Sequence, residues 1–278
     1  MSEEIEVKSV ENASHVEAET PKKAGLPGVI SGKKKQPPKV LIYGVPGVGK
    51  STFAASAPKP IFVQTEDGLH TIGADRFPVA ESSTEVVRHL STLLVEDHQY
   101  RTVVIDTLDK LATYIQAEMC AKQGWNSLAD SPYASYKKIE PMYWAPVFDV
   151  LEKLHTRRSM IVVLLAHSEV YTHSDPESEA YTKYTARLEK KVQERIIDWV
   201  DAIGFATTEK RVKKVDEKFG TSRPIAKPVI GEGDDMGGKR ILRFVDTPTC
   251  LAKNRYGIVD NIPLDWRTFF AYVTESWK

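Results

Sequence analysis

Residues 44–51 read Gly-Val-Pro-Gly-Val-Gly-Lys-Ser, a G-x-x-x-x-G-K-S spacing whose chemistry is phosphate binding. Gly44, Gly47 and Gly49 let the backbone turn its N–H groups inward as an anion nest. Val45, Pro46, Val48 and Thr52 complete the candidate binding segment. Lys50 adds a mobile cation, and Ser51 supplies a hydroxyl for Mg²⁺. A helix beginning near Lys50 directs its positive end at the same phosphates. The expected ligands are ATP and Mg²⁺.

Further polar residues follow apolar, β-branched runs. Glu66 and Asp67 follow Ile61–Thr65, Asp106 follows Thr102–Ile105, and His167 and Ser168 follow Met160–Ala166. Ligands of open parallel sheets bind outside the carboxyl ends of strands, so these residues and the glycine-rich loop belong to one expected site. Asp106 is the second metal-holding group, acting on Mg²⁺ through water; its ordinary alternative is a helix N-cap. Hydrolysis also needs a group that orients or deprotonates the attacking water. Many ring ATPases carry a glutamate directly after the metal-binding aspartate, but here that position is Thr107. Glu66, on an expected neighbouring strand, takes the role, with Asp67 as the fallback. His167 either meets the γ-phosphate or the lytic water, or simply caps a buried strand.

The elements that must position these groups alternate. Strands are expected at Val40–Tyr43, Ile61–Thr65, Thr102–Ile105, Met160–Ala166 and Ala202–Ala206, each short and apolar as buried parallel strands are. Helical spacing joins Leu108, Leu111, Ala112, Ile115 and Met119, and again Val147, Val150, Leu151 and Leu154. Ser82 with Glu85 forms a capping box opening a helix through Leu94. This pattern predicts an α/β fold with a mostly parallel central sheet flanked by helices. After Ala206 it changes to short extended segments, including Arg240–Val245, separated by the turn Gly231–Gly238. Antiparallel strands are therefore expected on one edge, closed by a helix over Trp266–Val273.

The residues resemble the RecA-like branch of P-loop ATPases, which has a metal-binding aspartate without a following glutamate. Ala252-Lys253-Asn254-Arg255-Tyr256-Gly257 is similar to the Lys-Asn-Arg-Phe-Gly signature of bacterial RadA and to the Lys-Asn-Lys segment of RecA. More narrowly, segments 41–44, 65–69, 103–106, 199–202 and 252–257 resemble phage-encoded ATPases that keep only a RecA core and work in single-strand annealing recombination. The resemblance spans roughly residues 38 to 275. It implies that Lys253 and Arg255 act in trans on a neighbour's γ-phosphate. It also implies a homo-oligomer, ring or filament, acting on single-stranded DNA, with a single-strand-binding or annealing protein as a further partner. DNA would meet two loops, about Gly124–Lys138 and Ser168–Leu188, with Trp125, Tyr136, Lys137, Lys138, Tyr184 and Arg187 as contacts. Aromatics interleaved with cations suit stacking on bases and tracking phosphates. Asp175, Glu177 and Glu179 in the second loop oppose that charge.

The bulk sequence narrows the classes. Lys plus Arg and Asp plus Glu both number 38, so net charge identifies no polyanionic partner. Cys120 and Cys250 read as free thiols of a reducing compartment. The apolar run Met160–Ala166 is far too short to span a bilayer, and the acidic, polar start is no secretory signal. A cytoplasmic protein with no membrane association is expected, in the host cytoplasm for a phage-encoded one. Residues 1–38 read as a disordered tail and 39–278 as the ATPase domain. An AAA+-type loader or remodeller would want Asp-Glu at 106–107 and a helical lid. A small-molecule kinase would want a lid and acceptor pocket, and a nucleotide-gated DNA-binding module would show little turnover.

Overall fold

The computed structural model describes residues 32–33, 35–173, 181–209, 212–213, 227–228 and 238–278. The expected tail over residues 1–38 lies almost wholly outside the described residues, as do nearly all of the Gly231–Gly238 turn and Asp175, Glu177 and Glu179.

Strand β1 (Lys39–Gly44) leads into α1 (Lys50–Ala55), then β2 (Pro60–Gln64), the short β3 (Asp75–Arg76) and α2 (Ser83–Val95). Next come β4 (Thr102–Asp106), α3 (Leu108–Gln123), a 3₁₀ turn at Leu128–Asp130 and α4 (Pro132–Lys138). A π-helical turn at Ile139–Trp144 runs into α5 (Ala145–Arg157), followed by β5 (Ile161–His173), β6 (Tyr181–Ala186), α6 (Lys190–Trp199) and β7 (Ala202–Thr208). Short strands β8 (Val212–Lys213) and β9 (Lys227–Pro228) pair with each other. β10 (Arg240–Arg243), β11 (Lys253–Asn254), β12 (Ile262–Pro263) and α7 (Trp266–Glu275) complete the order.

The main sheet runs β12-β10-β7-β1-β5-β4-β2-β3, with β11 on β7 and β6 on β5. From β7 to β3 every pairing is parallel, whereas β10, β11 and β12 are antiparallel additions on the β7 side. The central strands are buried on both faces, as their continuous apolar runs require. One face is covered by α2, α3, α5 and α6, through Leu90, Leu111, Leu151 and Ile196. The other is covered by α1 and α7, through Phe53, Trp266 and Phe269. At Gly44 a Cβ would lie 2.2 Å from the Ala206 carbonyl oxygen. Only glycine lets β1 and β7 approach where the phosphate loop begins.

Three local expectations change. Glu66 follows β2, whose neighbours are β4 and β3; β5 and β4 separate it from the phosphate-loop strand. β5 does not end at Ala166 but continues to His173, because β6 takes over its pairing from Ser168 to His173. The second expected loop is therefore largely a hairpin, and the first contains α4. Ser82 Oγ does accept from the Glu85 N–H at 3.2 Å, but the Glu85 carboxylate returns to the N–H of Glu81 at 2.9 Å.

Phe269 is fully buried and packs on Phe244, Trp266 and Phe53 with ring centroids 5.3, 5.6 and 6.1 Å away. Phe269→Ala is expected to destabilise the domain by about 3–5 kcal/mol. Urea unfolding reads this directly, and an unchanged midpoint would show that α7 does not anchor its layer.

Candidate nucleotide site

The loop after β1 turns through Gly47 and Gly49, whose φ angles of +77° and +106° lie in the left-handed region. That turn sends Lys50 inward, where only 5% of it is exposed. Its ammonium donates to the carbonyl oxygens of Gly44 and Val45 at 3.0 and 3.1 Å. Burial lowers its pKa, while Asp106, Asp109 and Glu66 act in the opposite direction. Two neutral acceptors satisfy the buried cation without neutralising it, and an entering polyanion would do both.

Ser51 Oγ donates to Asp106 Oδ2 at 2.6 Å, although these residues come from α1 and β4. Burial pushes the Asp106 carboxyl up, against the pull of the Ser51 hydrogen bond and Lys50. A hydroxyl and a carboxylate brought together beside a phosphate loop fit Mg²⁺, a hard cation that takes oxygen ligands and keeps several waters.

Beyond Asp106 the ends of β4 and β2 are stitched together. Thr65 Oγ1 accepts from the Thr107 N–H and donates to the Thr107 carbonyl, each at 2.9 Å. The Thr65 N–H donates to the Asp106 carbonyl at 2.9 Å. The Thr107 hydroxyl then donates to Glu66 Oε1 at 3.0 Å. The residue that occupies the expected glutamate position thus holds the glutamate that comes from β2.

His167 pairs with Gly44 in the sheet, inside β5 rather than after it. Asp109, in the first turn of α3, accepts from the His167 backbone N–H at 2.9 Å and meets Nδ1 at 2.8 Å. Burial acts to raise the Asp109 carboxyl, but the hydrogen bonds from His167 outweigh it and hold the group below the usual carboxylate range. An ionised Asp109 only accepts, so Nδ1 carries the hydrogen and Nε2 is the ring's remaining polar atom.

Lys50, Ser51, Thr52, Glu66, Asp67, Asp106, Thr107 and His167 line one open cleft of about 550 Å³ with Pro46, Gly47 and Gly49. Arg240 of β10 lines it too. Thr107, Asp109 and Arg240 are the residues that sequence reasoning missed. A hydroxyl directly after Asp106 was the available signal for the first; the other two arrive through tertiary contacts.

Lys253 and Arg255 are not at this cleft. β11 pairs with Ala202 and Ile203, at the end of the sheet opposite the phosphate loop. The Lys253 ammonium donates to the carbonyls of Ile197 and Asp198 at the end of α6, and burial lowers its pKa. Arg255 pairs with Asp201 at 3.1 Å with its side chain largely exposed.

The residues expected at DNA divide into two groups. Lys137 lies over Tyr133 at 4.4 Å, Lys138 over Trp125 at 5.9 Å, and Lys191 of α6 over Tyr136 at 5.1 Å. Trp125 packs partly against the core, while Tyr133 and Tyr136 are exposed. On the hairpin, Tyr184 stacks on Phe205 at 5.0 Å, and Arg187 is exposed directly after β6.

A glycine-rich turn with a buried lysine, joined to a serine–aspartate pair, places this fold among the P-loop nucleotide-binding proteins. More particularly, the AAA domain family matches residues 36–256, and the chain belongs to that family. No curated protein matches it. Among solved structures, a RadB recombinase is similar, with 16% identity over 63% of this chain and 77% of that one and a TM-score of 0.36.

The His167–Asp109 contact makes a pH-dependent contribution. With its pKa lowered in the folded state, Asp109 contributes stability above the unfolded carboxylate pKa, and that contribution is lost as pH falls through the folded value. Asp109→Asn should therefore be less stable than wild type at pH 7, with the gap closing below about pH 4. Urea midpoints at both pH values check this, and a constant gap would assign the loss to packing.

Proposed function

We propose that the chain is a Mg²⁺-dependent ATPase acting on single-stranded DNA in recombination or annealing of the phage type. The observation that carries the hydrolytic part is the convergence of Lys50, the Ser51–Asp106 pair and the Thr107-held Glu66 on one cleft. Lys50 and the loop N–H groups bind the phosphates, and Ser51 and Asp106 hold Mg²⁺, which supplies charge neutralisation of the polyphosphate when bound. Glu66 orients the attacking water and takes its proton. Thr107 holds Glu66 in the cleft that Ser51 and Asp106 also line, and His167 faces the same space with its orientation set by Asp109.

The DNA part rests on two exposed sets, Tyr133 and Tyr136 with Lys137 and Lys191 over their rings, and Tyr184 on the hairpin that ends at the exposed Arg187, since base stacking and phosphate tracking need that mixture. Sharing of the site between copies rests on the position of Arg255. At the far end of the sheet from its own phosphate loop, and largely exposed, it serves a neighbour or serves no cleft. Lys253, tied to the end of α6, supports the segment that presents it. A remodelling ATPase of the AAA+ type is the second reading; Thr107 after Asp106 and the antiparallel strands that follow β7 favour the first.

Lys50→Ala should abolish hydrolysis, and Glu66→Gln should retain ATP binding while lowering turnover by about 10²–10⁴-fold. Wild-type turnover in the glutamine variant would move the role to Asp67. Single-stranded DNA should stimulate hydrolysis, less so at higher salt; indifference to DNA favours the second reading. Mixing Arg255→Ala with Lys50→Ala chains should restore part of the activity that each lacks alone. Failure of that mixture to exceed its components would remove the trans role.

A further inference from the structure

Arg240 lines the cleft but has no part in the chemistry above. It opens β10 opposite Thr208, just beyond the register at which Leu242 meets Ala206 and Ala206 meets Gly44. Its side chain turns back over the phosphate loop. A methyl group in place of the Gly49 hydrogen would lie 3.1 Å from Arg240 Nη1 and 3.8 Å from its Cδ. Arg88, Arg158, Arg195 and Arg255 each meet a carboxylate. Among the described residues, the Arg240 guanidinium has neither a hydrogen bond nor an ion pair. A guanidinium held close to a glycine turn without a counter-charge suits an anion that enters with the ligand.

The strand order says which part of that ligand it meets. Asp106 and Glu66 come from β4 and β2, on the β5 side of the phosphate loop. β10 lies two strands away on the opposite, β7 side. A polyphosphate with its terminal phosphoryl at Glu66 therefore extends toward Arg240 with its nucleoside end.

We infer that Arg240 binds the nucleoside end of the nucleotide's polyphosphate, from within the same chain and alike for ATP and ADP. This rests on the reading of the cleft as an ATP site. A contact made equally with substrate and product contributes to affinity and not to the hydrolytic step. The cations of the site then differ in what they do. Arg240 retains nucleotide in either state, while Lys50 reaches the phosphates deeper in the loop.

The test is calorimetric titration of the full chain with Mg²⁺-ADP and a non-hydrolysable Mg²⁺-ATP analogue, for wild type, Arg240→Ala, Arg240→Lys and Lys50→Ala. Arg240→Ala should weaken both nucleotides by the same factor, about tenfold for one charge-assisted phosphate contact. Arg240→Lys should recover only part of that, because an ammonium lacks the planar fork. Loss confined to the ATP analogue would overturn the inference, as would a fall in turnover at saturating ATP with both affinities intact. Wild-type affinities in both variants would overturn it as well. If Arg240→Ala does not fold, the ratio of the two losses in Arg240→Lys decides the same question. Failure of the wild type to bind either nucleotide, or full binding by Lys50→Ala, would instead remove the ATP-site reading itself.

Discussion

A buried ammonium sets the terms of this structure. Lys50 is sequestered beneath its own loop with carbonyl oxygens as its only hydrogen-bond acceptors among the described residues. Keeping a charge out of water is costly unless its field is answered nearby. Asp106, Asp109 and Glu66 answer it at a distance, each supporting the charged form. Each belongs to a different segment, so the cation ties the loop to the ends of β4, α3 and β2. The close approach of β1 to β7 at Gly44 is the steric side of the same arrangement, because a side chain there would collide with the Ala206 carbonyl where the loop begins.

The threonines around Asp106 show how backbone pairing is extended past the end of a sheet. β2 and β4 stop pairing at Gln64 and Asp106. Thr65 continues the ladder with its side chain by bonding both polar groups of the Thr107 backbone. Two segments that would otherwise diverge stay in register for one further residue on each side. Glu66 and Thr107 then emerge side by side, and the hydroxyl–carboxylate contact follows from that placement. The role given to Glu66 thus depends on a hydrogen-bond network built from small β-branched residues, which both pack well in a strand and bond through their side chains.

Much of this was legible in the sequence because it is local. The phosphate loop is a contiguous spacing, and the strands through Ile42, Val63, Val104 and Val163 are short apolar runs with no other good interpretation. Helices α3 and α5 follow their apolar spacing, and Arg240–Arg243 is extended as the pattern predicts. What was not legible is non-local. The neighbour of β2 depends on how the helices cross over the sheet, and one-dimensional spacing does not say that β5 separates β1 from β4. The full length of β5 leaves no mark in the sequence, because its distal half is polar and, among the described residues, pairs with β6 alone. Asp109 reads as a first-turn acidic residue of a helix, and Arg240 as one charge beginning an edge strand. Only the fold brings them to His167 and Gly49.

β5 is continuous from the core to the hairpin. Its first half is held between β1 and β4, His167 sits opposite Gly44, and the ladder with β6 begins at the very next residue. No joint interrupts it, so the strand behaves mechanically as one stiff beam. Its hairpin end is held as well: Tyr184, opposite Val170, exchanges backbone hydrogen bonds with Thr249 and Leu251, and Lys183, opposite Tyr171, pairs with Asp246. The imidazole that faces the cleft thus sits on a member gripped on both sides of it, and a displacement at the phosphates is passed along that member to the segment around Asp246–Leu251.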